Sequence, residues 1–185
     1  NAYRNSFFKN TKLNIGSARS GNVIGGGDWT RDRIVPDCLS SFLKNKKLII
    51  RYPKSIRPWQ HVLEPIYGYL LLAEKLYSHE GVNFSKAWNF GPKKENNTNV
   101  YELAKKLKTI TNSKSKIVTS KIKNFSEAKY LFLDSSKSMK LLKWKKMLNL
   151  KQTLNLINEW HQAFLKKKDL RKMTISQIKY FTKAL

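Results

Sequence analysis

Short apolar runs alternate with amphipathic helical stripes along this chain, which restricts it to layered α/β architectures. Residues 48–50 are an apolar run too brief for a helix and are predicted as a strand, and 87–90 read as a short buried strand ending at Gly91 and Pro92. Residues 13–20 form an extended run that delivers a glycine-rich loop over 21–27. Helical spacing covers 33–45 and 100–110, and shorter or longer helices are predicted near 136–142 and over about 150–168. Pro65 suits the first turn of another helix, with Ile66, Tyr69, Leu70, Ala73, Leu76 and Tyr77 as its core-facing stripe. Residues 1–10 read as the end of a helix, and 116–120 and 130–133 as short strands. The mixture of Pro53, Pro58, Lys54, Arg57 and Trp59 predicts an irregular loop over 52–61, and such loops tend to carry function. The last fifteen or so residues read as a peripheral tail.

At 185 residues and 41% hydrophobic, the chain can bury one ordinary core. It contains no run of about 20 uncharged apolar residues, so a spanning helix is not expected. The lone Cys38 excludes an internal disulfide and lies in the apolar pattern Ile34, Val35, Cys38, Leu39, Phe42, where a buried structural thiol is the simpler reading. His61, His79 and His161 are too scattered to suggest a metal site. A reducing cytoplasm fits this composition. The net charge of +25 raises nucleic-acid binding as a rival reading. Against it, the excess is mainly Lys spread over polar helical faces, with no base-reading motif beside it.

No strand is followed by G-x-G-x-x-G, the turn that seats a dinucleotide pyrophosphate on a helix amino end. Gly25, Gly26 and Gly27 lack that spacing and read as a tight turn.

Three blocks carry a family resemblance. The first is Ala18-Arg19-Ser20-Gly21-Asn22-Val23-Ile24-Gly25-Gly26-Gly27-Asp28-Trp29, continued by Asp32-Arg33-Ile34-Val35-Pro36-Asp37. The second is Ile49-Ile50-Arg51-Tyr52-Pro53-Lys54-Ser55-Ile56-Arg57-Pro58-Trp59-Gln60-His61-Val62-Leu63-Glu64-Pro65, and the third is Trp88-Asn89-Phe90-Gly91-Pro92. Together they resemble the CDP-glucose 4,6-dehydratases, a branch of the extended short-chain dehydrogenases. The resemblance covers residues 1–165 and weakens after Lys93, where the family's Leu-Gly-Trp becomes Leu142-Lys143-Trp144; residues 166–185 would be a basic carboxyl-terminal tail.

The resemblance implies the carboxyl-terminal part of such an enzyme: the last strands of a doubly wound sheet plus a small mixed α/β substrate-binding lobe. Arg57 and Asn22 would bind the diphosphate of a nucleotide sugar, a role that suits a guanidinium and an amide donor. Arg33, Ile34, Pro36 and Ile49 would frame the base, Asn89 would be a further substrate contact, and Glu127 a ribose or base contact. Ser20 and Gly21 would approach the nicotinamide of NAD, which the absent amino-terminal half would mainly hold. The family's Tyr-x-x-x-Lys pair would end just before Asn1, so no catalytic residue is expected in this chain and the fragment alone should be inactive. Tyr101 and Lys105 satisfy that spacing but read as a chance match on a later helix. The missing initiator Met also suggests a fragment. The intact enzyme would be a homodimer without a specific nucleic-acid or membrane partner; a different nucleotide-sugar dehydratase or an epimerase is the alternative within the class.

Overall fold

The structure, a computed structural model, describes residues 4–8, 11, 13–94, 97–120 and 127–185. A π-helical turn, Arg4–Phe8, stands where a helix end was predicted, the rest of residues 1–10 lying outside the described residues. Then follow β1 (Ser17–Ser20), β2 (Asn22–Ile24), α1 (Ile34–Leu43), β3 (Leu48–Ile50), β4 (Ile56–Arg57), β5 (Trp59–His61), α2 (Leu63–Tyr77), a short α3 (Gly81–Phe84) and β6 (Ala87–Phe90). The remainder is β7 (Thr98–Asn99), α4 (Val100–Ile110), β8 (Ile117–Thr119), α5 (Ser136–Leu141), α6 (Leu150–Leu165) and α7 (Leu170–Thr182).

Strands meet in parallel pairs between segments distant in sequence: β1 with β6, β2 with β5, and β3 with β8. The antiparallel pair β4–β7 sets Arg57 opposite Thr98. The predicted loop over 52–61 therefore holds for 52–55, while two short strands occupy 56–57 and 59–61. Residues 130–133 are not a strand; Tyr130 makes one isolated bridge to Ile56.

The main core lies between α1, α4, α6 and the strands β2, β3 and β5, joining Val35, Cys38, Phe42, Leu48, Trp59, Leu103, Leu107, Leu154 and Ile157. Cys38 is fully buried there, and burial pushes its thiol pKa up, so it packs as a small apolar group. The helices start where side chains accept their orphan amides. Asn99 caps α4 through the Glu102 amide at 2.8 Å, and Asn149 with Gln152 forms a reciprocal capping box on α6.

A second core joins Leu72, Trp88, Phe90, Leu142 and Trp144, and of the stripe predicted for α2 only Leu76 packs against it, with Tyr69 edge-on to the Phe90 ring. The helix turns Glu64, Pro65, Gly68 and Leu72 inward, leaving Ile66, Tyr69, Leu70, Ala73 and Tyr77 exposed. Gly68 is the reason: a Cβ there would lie 2.3 Å from the Phe90 ring, so the strand packs against the narrowest line of the helix. Glu64, with no exposed surface, fastens this helix to the chain after α5. Its carboxylate accepts the Met147 amide at 3.0 Å and the Leu148 amide, while its carbonyl accepts from Trp144 Nε1 at 3.1 Å. Burial raises the Glu64 pKa, opposed by those amides and by Lys146.

Residues 166–185, expected as a tail, include α7, which lays Phe181 against Leu148 and Leu156. Lys143, in place of the family's glycine, has φ of 56°. Left-handed backbone disfavours a β-carbon, so Lys143→Gly is expected to raise unfolding free energy by about 1 kcal/mol. A urea titration checks this, and a lowered midpoint would show that the lysine stem contributes more than the backbone strain costs.

Candidate functional site

A cavity of about 570 Å³ opens where β1 passes into β2, and its walls come from α1, β3, β4 and the loops around them. Ser20, Gly21 and Asn22 line one side; Arg33, Ile34 and Pro36 contribute the start of α1, and Ile49 the edge of β3. Arg57 and Glu127 complete the wall. Asn89 is elsewhere: its amide oxygen accepts from Arg19 Nε at 3.1 Å and its nitrogen donates to the Asp134 carbonyl at 2.9 Å, outside the cavity lining. Tyr101 and Lys105 are exposed on α4 and do not line the cavity either.

Local packing places each wall. Asn22 opens β2, paired with Trp59 of β5, rather than leaving a strand for a loop. Gly21 must be glycine because a Cβ would sit 2.8 Å from the Pro58 carbonyl oxygen; that contact accounts for the residue without any cofactor. The three following glycines are also packing residues. A Cβ on Gly26 would fall 2.3 Å from Trp160 of α6, and Gly27 has φ of +78°. Trp29 closes the same block against His161 and Phe164, with ring centroids 5.2 and 4.7 Å apart. The Gly-Gly-Gly-Asp-Trp run is thereby docked on α6, which fixes the loop carrying Asp28 to the cavity mouth.

Charge lines the site in pairs. Arg57 is 6% exposed, donates from Nη1 to the Ile56 carbonyl at 2.8 Å and from Nη2 to Glu127. Burying a guanidinium costs much of its hydration energy, which these two partners offset. Arg51 pairs with Asp32 at 3.0 Å and Arg33 with Asp28 at 3.6 Å, both at the exposed mouth. Asp37, in the first turn of α1, is the remaining carboxylate on the lining. Burial, then the Asp32 charge, pushes its pKa above the usual carboxylate range, against the Asp32 amide and Arg51. Sequence reasoning singled out the arginines and missed Asp28, Asp32 and Asp37. The available signal was their recurrence within ten residues of the glycine run.

No protein-family model matches the chain. The CDP-glucose 4,6-dehydratase of Salmonella typhimurium is 44% identical to it over 174 residues, which cover 91% of this chain and 48% of that protein. The chain is a homologue of CDP-glucose 4,6-dehydratase, matching its carboxyl-terminal half. It thus spans about half the length of the curated relative it matches. Among solved structures, the UDP-glucose 4-epimerase of Thermotoga maritima with UDP-glucose superposes at a TM-score of 0.74, with 22% identity over 89% of this chain and 51% of that one. The dTDP-glucose 4,6-dehydratase of Bacillus anthracis in complex with NAD superposes at 0.66, with 16% identity over 88% and 48%. These likenesses show the fold, a mixed α/β arrangement of short parallel strand pairs that spans about half the length of each of those two enzymes. Among the described residues, no helix is long and apolar enough to cross a membrane.

Proposed function

We propose that this chain is the substrate-binding half of an NAD-dependent CDP-glucose 4,6-dehydratase. The observation that carries this reading is the buried Arg57 lining the same cavity as Asn22, in a chain 44% identical to an enzyme of that name. A planar guanidinium can donate two parallel hydrogen bonds to a diphosphate, and an Asn amide adds a third donor. Arg33, Ile34, Pro36 and Ile49 offer the nucleoside a mostly apolar recess, and Glu127 a ribose or base acceptor. Asn89 would reach substrate only by giving up Arg19 and Asp134. In the intact enzyme, C4 of glucose is oxidised, water leaves across C5 and C6, and hydride returns to C6; bound NAD accepts and returns that hydride. This chain would meet NAD only at Ser20 and Gly21, the cofactor and the acid–base residues belonging to the other half of the enzyme's length. The reading takes the whole enzyme as a cytoplasmic homodimer with no specific nucleic-acid partner.

The test joins residues 1–185 to the amino-terminal half of the Salmonella enzyme and supplies NAD with CDP-glucose. A 4-keto-6-deoxy product should form, while the 185-residue chain alone should give none. Equal turnover of dTDP-glucose would return the chain to the broader class of nucleotide-sugar enzymes, and failure to bind any nucleotide sugar would end the reading.

A further inference from the structure

Four carboxylates line the cavity, and three are matched: Asp28 by Arg33, Asp32 by Arg51, and Glu127 by Arg57. Asp37 is the fourth. Among the described residues it has no cation within ion-pair distance; the Asp32 amide and, from farther off, the Arg51 charge already held by Asp32 are what favour its carboxylate form. It is half-buried, one residue from Pro36 and one turn from Ile34, beside the apolar end of the recess. A carboxylate left unmatched where a doubly charged anion must also enter needs a hydrogen-bond donor from the ligand to offset its desolvation.

Resting on the nucleotide-sugar reading above, we infer that Asp37 selects the base, its carboxylate accepting a hydrogen bond from the exocyclic amino group of cytosine. Cytosine offers a donor at that ring position, whereas uracil and thymine offer a carbonyl oxygen. An acceptor facing an acceptor repels, so one residue attracts the correct base and penalises the others. The Ile34, Pro36 and Ile49 side chains supply apolar surface for a flat ring, but they do not distinguish pyrimidines of equal shape. Asp37 also suits the amino end of α1 electrostatically, a contribution that concerns helix stability and not base choice.

The experiment measures dissociation constants of the 185-residue chain for CDP and UDP by calorimetry, and kcat/KM of the joined enzyme for CDP-glucose and UDP-glucose. The unmodified protein should prefer the cytosine nucleotide by about tenfold or more. In Asp37→Asn, whose amide can serve either base, that preference should fall to near unity, partly through tighter UDP binding. Asp37→Leu, which keeps the apolar wall, should lose it by weaker CDP binding alone. Equal weakening of CDP and UDP would assign Asp37 to the ribose and overturn the inference. So would a cytosine preference that survives both substitutions, or no preference at the outset while both nucleotides still bind. Failure to bind either nucleotide would instead overturn the functional reading beneath it.

Discussion

Replacing Arg57 by alanine is expected to weaken CDP-glucose binding by about 2–4 kcal/mol, roughly 30- to 700-fold in dissociation constant. Two effects add. The substitution removes the buried guanidinium on the cavity wall, and it strands Glu127 as an unmatched carboxylate facing an anionic ligand. Lysine should restore only part of the loss, because its ammonium is a point charge without the planar fork. Calorimetry at fixed ionic strength reads the change directly. An affinity unaltered in Arg57→Ala would remove the diphosphate from this wall, and with it the assignment of Asn22.

Acidification should unfold this protein earlier than its surface charge alone would, and His61 is the reason. The imidazole is 2% exposed; its Nδ1 accepts the Leu63 amide at 3.3 Å, and its Nε2 has no hydrogen-bond partner among the described residues. Burial lowers its pKa from 6.5 to about 4. Between those values the unfolded chain holds a proton that the folded chain refuses. Stability from this site is therefore fully present above pH 6.5 and is lost as pH falls through about 4, a total on the order of 3 kcal/mol. His161 shifts in the same direction, also through burial. Urea unfolding of the chain and of His61→Gln, each followed from pH 7 to pH 4, isolates the contribution. Parallel pH profiles for the two would show that His61 titrates normally and that the acid sensitivity lies elsewhere.

The helices were largely legible because their evidence is local. Val100–Ile110 has its cap and its apolar spacing within twelve residues, and the structure ends it at the same positions. The short strands β4 and β5 were not, since neither has a strand-like pattern of its own. Each exists because a partner arrives from far away: Thr98 opposite Arg57, and Asn22 opposite Trp59. The inward face of α2 was hidden for a related reason. Counting apolar side chains favours Ile66, Tyr69 and Leu70, whereas contact with the Phe90 ring selects the side where Gly68 has no side chain at all. In the site, motif wording led to the arginines and Asn22. The acids that balance them lie on the same segment, but a sequence does not say which Asp faces which Arg. Asn89 sits on the wrong face of β6 for the cavity, because Trp88 and Phe90 on either side of it fill the core.

The pairing of Arg57 with Glu127 makes ligand entry an exchange reaction. An arriving diphosphate does not meet a bare cation; it displaces a resident anion, and Glu127, with 42% of its side chain already exposed, is freed to turn to the ribose or base. Measured affinity is then the difference between two contacts, internal and external, which added electrolyte weakens together. The ionic-strength dependence of nucleotide binding should accordingly be shallower than the ligand's charge suggests, and it should steepen when Glu127 is made neutral.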